Sequence, residues 1–157
     1  VPQITFQDNM KLHLNGDQIE LYHFGNAHTT GDAAVYLRDS NVLHMGDVFN
    51  MSGPPFVDAD NGGSIDGIIH FCEEVLKVIN DETVVVPGHG PISTSEDMQT
   101  YIDMLVVVRD RIQSQIAEGK SLEEILASDP TREWRDIYGE GPFIQGLVDR
   151  AYAAMIK

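Results

Sequence analysis

The hydrophobic period changes along this chain, and that change limits the folds open to it. Up to about residue 48, apolar and polar residues alternate through "QITF", "KLHL", "IELYHFG", "AAVYLRD" and "SNVLHMGD". A period of two is that of a strand with one face against a core. The turn Asn15-Gly16-Asp17 between two such segments is a strong hairpin signal, because Asn and Gly accept the left-handed backbone of a tight turn. From Ser64 onward the period becomes 3.6. Ile65, Ile68, Ile69, Cys72, Leu76 and Ile79 share one helical face, and Ser64 is placed to cap it. Tyr101, Leu105, Val108, Ile112 and Ile116 share a second, longer one, with Ser93 and Glu96 at capping-box spacing and Gly119 as the stop. Ser121 with Glu124 caps a short third helix that Pro130 breaks, and a last helix runs from about Phe143 to Ile156. "TVVVP" is a lone return to strand between the first two helices. The pattern predicts a mostly antiparallel sheet over 2–48 and 83–87 with helices on one face, in a single domain spanning 1–157.

Charge removes several classes of partner. Ten basic against twenty-five acidic residues give a net charge of −15. Phosphate backbones and anionic membrane surfaces both need a positive face, so nucleic acid and membrane are excluded as partners. A small-molecule substrate remains, neutral or cationic on this argument. No apolar run is long enough to span a bilayer and no signal-peptide pattern is visible, which reads as a soluble protein, cytoplasmic or periplasmic. The single Cys72 rules out an intrachain disulfide framework, and its place within an apolar stripe marks it as a core residue.

Three residues stand out as metal-competent. His28 lies in "GNAHTTGD", Asp47 in "HMGDVF" and His89 in "PGHG". Each follows a strand segment and sits among glycines or other small residues, which let backbone pass where a Cβ would clash. Imidazole nitrogen and carboxylate oxygen are common zinc donors outside thiolate sites. The long stretch 50–63, rich in Gly, Pro and acids, reads as a functional loop. His13, His23, His44 and His70 read as ordinary residues: His23 packing or hydrogen-bonded, His70 exposed on its helix.

The three motifs Gly-x-Ala-His-Thr-x-Gly-Asp, Gly-Asp and Pro-Gly-His-Gly, in this order and spacing, resemble the second half of the metallo-β-lactamase-fold hydrolases. The resemblance extends through "GGSIDG" and "EGKSLEEI" and covers nearly the whole chain. It implies half of an αββα sandwich. It also implies zinc as cofactor, His28 and His89 as ligands on two companion ions, and Asp47 as the catalytic carboxylate bridging them. Asp32 would support the His28 loop rather than bind metal. The implied reaction is attack of a metal-activated hydroxide on an ester, thioester, amide or lactam. The largest class of zinc β-lactamases carries Cys where this chain has Asp47, so the resemblance is to the broader family. One departure is large: the family's His-x-His-x-Asp-His motif is absent, and "HLNGD" at 13–17 reads as a hairpin. Two expectations follow. The chain is one part of a hydrolase whose site needs other residues, or it is a non-catalytic half-fold that self-associates. Its partner is accordingly a second copy in a homodimer or the missing half.

Overall fold

The computed structural model of the chain describes residues 2–139 and 141–156. Five strands form one sheet in the order β1 (Asn9–Leu14), β2 (Asp17–Tyr22), β3 (Ala34–Leu37), β4 (Val42–His44) and β5 (Val84–Val86). The first four pair antiparallel as a meander, and β5 joins β4 in parallel. Asn15 and Gly16 both take positive φ in the β1–β2 turn, as the hairpin requires. The parallel pair needs a crossover, which helix α1 (Ile65–Leu76) supplies between β4 and β5. Helix α2 (Ser95–Ala117) follows β5, then α3 (Leu122–Ala127), a short α4 (Arg135–Tyr138) and α5 (Pro142–Met155).

The register sorts the strand residues into two faces. Ala34, Tyr36, Leu43 and Val85 point to one side and are fully buried. They meet Ile65, Ile68, Cys72 and Val75 of α1 and Met98, Leu105 and Val108 of α2 in a continuous core. The other side carries two rows, Met10–Leu21–Val35–His44–Val86 and Leu12–Ile19–Leu37–Val42–Val84. None of these ten side chains is buried, and nine are apolar. A sheet that is apolar on both faces normally has a layer on each. Here only one layer is present.

Helix ends follow the expected chemistry with one shift. Ser64 accepts from the Gly67 amide at 3.0 Å and starts α1. The box that starts α2 is Thr94 with Asp97, in place of the expected Ser93 with Glu96. Ser93 is unavailable because its backbone pairs with Val85 in both directions, at 2.8 and 3.0 Å, so the helix begins one residue later. Cys72 is buried within α1, and burial pushes its thiol far above the usual range, so it is an inert core residue. Among the described residues no helix is long and apolar enough to cross a membrane.

Candidate metal centre

Strand direction brings the three motif residues to one edge. β2 and β4 each run antiparallel to β3, and β5 runs parallel to β4. The C-terminal ends of β2, β4 and β5 therefore share one end of the sheet. His28, Asp47 and His89 lie in the loops that leave those three ends.

Their side chains form a row with Asp47 in the middle. Asp47 Oδ1 lies 3.2 Å from His89 Nε2, and Asp47 Oδ2 lies 3.9 Å from His28 Nε2. Each carboxylate oxygen thus faces a different imidazole. His28 Nδ1 lies 2.8 Å from the Phe56 carbonyl oxygen. A carbonyl can only accept, so Nδ1 donates to it, and Nε2, the nitrogen facing Asp47, is the one placed to ligate a metal. Two donors on one tetrahedral zinc at about 2.1 Å stand roughly 3.3 Å apart, so the His89–Asp47 spacing suits a shared ion. His28–Asp47, at 3.9 Å, is wider than that. Among the described residues no three His, Cys, Asp or Glu side chains form a ready-made cage around one point. The row fits zinc in donor type and, for the His89–Asp47 pair, in spacing, but not in donor number.

The glycines of "PGHG" owe their place to this crowding. A Cβ on Gly88 would collide with Asp47 Oδ1 and with the Gly46 carbonyl, whose oxygen instead accepts from the Gly88 amide at 2.7 Å. Only a residue without a side chain lets the His89 loop lie this close to the Asp47 turn. On the far side, a Cβ on Gly63 would strike the His28 carbonyl, so the loop leading into α1 lies directly against the His28 segment. Asp58 completes that loop. Its amide donates to the His28 carbonyl at 3.1 Å, and its carboxylate accepts from the Asn61 side chain at 2.7 Å. The Asn61 hydrogen bond holds the Asp58 carboxyl below its ordinary value.

The remaining histidines and Asp32 fall outside the row. Asp32 accepts from the Thr29 amide and hydroxyl at 2.7 and 3.2 Å and so supports the His28 loop. His23 Nδ1 contacts the Asp32 carbonyl at 2.7 Å. His44 is exposed on the uncovered sheet face, its Nδ1 accepting from the Gly46 amide at 3.2 Å beside the Asp47 turn. His70 is exposed on α1, as its helical position implies. The sequence did not reveal Phe56, because a backbone carbonyl that holds a histidine nitrogen leaves no mark on residue type.

Comparison with known proteins points one way. No family model matches the chain. The type 2 metallo-beta-lactamase of Bacteroides fragilis is 24% identical over 96 residues, covering 61% of this chain and 39% of that protein. The probable metallo-hydrolase YqgX of Bacillus subtilis (strain 168) is 26% identical over 83 residues, covering 51% of this chain and 39% of that one. The chain therefore matches well under half the length of these curated relatives. Among solved structures, the sec-alkylsulfatase Pisa1 from Pseudomonas sp. superposes with a TM-score of 0.71 at 19% identity, over 97% of this chain and 26% of its own. A metallo-beta-lactamase from Pontibacter korlensis does so with a TM-score of 0.58 at 22% identity, over 66% of this chain and 48% of its own. A five-stranded sheet with its helices on one side, matching only part of each of these proteins, is a partial metallo-β-lactamase fold.

Proposed function

We propose that this chain supplies one side of the metal centre of a zinc-dependent hydrolase. The observation that carries the reading is the row His28–Asp47–His89, in which each oxygen of one carboxylate faces a separate imidazole. In this reading His28 and His89 serve different ions and Asp47 lies between them. Zinc, when bound, lowers the pKa of a coordinated water toward 7 and polarises the carbonyl of an ester, thioester, amide or lactam. The protein's own work is to hold the donors. The Phe56 carbonyl holds His28 Nδ1, and Gly88 lets the Asp47 and His89 loops touch. The names of the relatives, metallo-beta-lactamase and metallo-hydrolase, support hydrolysis as the reaction class.

Three donors divided over two ions leave each short of the usual four-coordinate set. The chain alone should therefore bind zinc weakly. Calorimetry with zinc chloride should give a dissociation constant in the micromolar range or above, lost in Asp47→Asn and in His89→Ala. Nanomolar affinity that survives Asp47→Asn would refute the assignment.

The uncovered sheet face favours a second reading, a non-catalytic half-fold that pairs with a second copy of itself. Its two rows hold no charged side chain, so the −15 charge of the chain is kept off the contact. Contiguous apolar surface of this kind marks an interface, and a two-fold axis is the simplest way to cover it. Mass in solution, measured together with zinc binding, separates the readings. A dimer that binds no zinc favours the second, and a chain that binds zinc through Asp47 favours the first.

A further inference from the structure

Beside the candidate metal centre lies a hollow of about 470 Å³, lined by the loop Asn50–Phe56 and by Pro142, Phe143 and Arg150 of α5. It is joined to the centre through shared residues. The Phe56 carbonyl holds His28 Nδ1, and the Phe56 ring centroid lies 5.5 Å from the imidazole. Asn50 pairs with His89 as a β-bridge, and the Met51 amide donates to the His89 carbonyl at 2.8 Å. The hollow is thus positioned to hold the part of a substrate that does not react.

Its wall has an unusual charge. Among the described residues, Arg150 is the one Lys or Arg side chain with no carboxylate at ion-pair distance; the others each face an Asp or Glu. Its guanidinium lies 3.9 Å from the Phe56 ring centroid and donates one Nη1 hydrogen bond, at 3.1 Å, to the Gly146 carbonyl in its own helix. That leaves most of a five-donor fork unclaimed in a half-buried place. Among the described residues no acidic side chain lines the hollow. Around the rim, Phe143 is 81% exposed and Ile137 is 70% exposed, which is costly surface for a residue with no occupant to cover it. Phe143 also borders an adjoining hollow with Met51, Ile137 and Tyr138, which extends the apolar floor.

We propose that this hollow binds a substrate carrying a carboxylate on an apolar body, with the carboxylate on Arg150 and the body against Phe56 and Phe143. The planar guanidinium fork matches a carboxylate in two-point contact. The inference rests on and deepens the hydrolase reading by giving the substrate a charge, and it departs from the neutral or cationic substrate that net charge alone suggests. A −15 chain favours neutral or cationic ligands at long range, but ions screen such fields beyond about 8 Å at physiological salt. Within the hollow the nearby guanidinium decides.

The test is binding without metal, so that it stands apart from the zinc assignment. In EDTA-containing buffer the chain is titrated with 4-phenylbutyrate and with 4-phenyl-1-butanol, its neutral counterpart, and followed by NMR. The acid should bind roughly tenfold more tightly than the alcohol, the worth of one charge-assisted contact, with shifts at the Arg150 side chain. Arg150→Gln, checked for an unchanged fold by circular dichroism, should equalise the two, while Phe143→Ala should weaken both alike. His89→Ala should leave the preference intact. Equal affinity for acid and alcohol in the unaltered chain, a preference retained in Arg150→Gln, or shifts centred on other cationic residues would each overturn the proposal.

Discussion

Glu20→Gln should destabilise the fold at neutral pH and much less in acid. Glu20 sits in β2 with only 1% of its surface exposed, on the helix-facing side of the sheet. Burial pushes its carboxyl up, but hydrogen bonds from Tyr22, Lys11, Arg38 and Gln18 outweigh that and hold it down at about 2. Lys11 Nζ lies 2.9 Å from Oε1 and Arg38 Nη2 lies 2.6 Å from Oε2. Against 4.5 for a free glutamate, the depression corresponds to at most roughly 3 kcal/mol at pH 7. Lys11 and Arg38 are themselves about half exposed, so water screens both and the measured loss should be about 1–3 kcal/mol. A group whose folded value is depressed stabilises fully above its unfolded value and loses that contribution as pH falls through its folded value. The variant's deficit should therefore be constant above about pH 5.5 and shrink to roughly half by pH 3. Urea unfolding followed by circular dichroism at pH 7, 5 and 3 measures it. A deficit that is the same at all three pH values would refute the charge argument and leave a purely steric loss. No deficit at pH 7 would refute the network's contribution altogether.

Gly88→Ala places a methyl against Asp47 and the Gly46 carbonyl, so it should weaken zinc binding more than His44→Ala, by calorimetry, even where the thermal midpoint falls only slightly. Leu21→Glu, at the centre of the uncovered face, should shift the mass seen by light scattering at micromolar concentration from dimer to monomer; a monodisperse monomer before mutation would show that the face needs no cover. Thr94→Ala removes the side-chain half of the α2 capping box and should cost about 1 kcal/mol in urea unfolding, whereas Ser93→Ala, whose side chain reaches only the Pro91 carbonyl, should cost less.

The hairpin strands and the motif row were legible because both rest on residue type, whereas "QITF" at 3–6 alternates equally well and forms no strand, the sheet beginning at Asn9. Alternation located the hairpin strands, and small residues at strand ends located His28, Asp47 and His89. What stayed hidden depends on pairing rather than type. Glu20 occupies a position that alternation assigns to the helix-facing side, where a carboxylate looks misplaced until Lys11 and Arg38 arrive from neighbouring strands. Ser93 and Thr94 both satisfy a capping pattern, and only the Val85 pairing decides between them. Arg150 reads as one more cation on a helix, and that no carboxylate among the described residues comes within ion-pair distance of it is a fact that exists only in three dimensions. The two-sided apolarity of the sheet was visible in Ile19, Leu21, Tyr22 and Phe24, which cannot all face one layer. The structure divides them as the strand period demands. Tyr22 lies on the helix side, where its hydroxyl bonds Glu20, and Phe24, past the strand, meets Phe71 of α1 edge-on. Ile19 and Leu21 turn to the side with no layer. That division ties the two open questions together. The C-terminal strand ends that present the metal-competent row also border the uncovered face, where His44 and Val86 close one row. In the proposed reading, an occupant of that face would come to the edge of the row and would be the source of the donors that the row lacks.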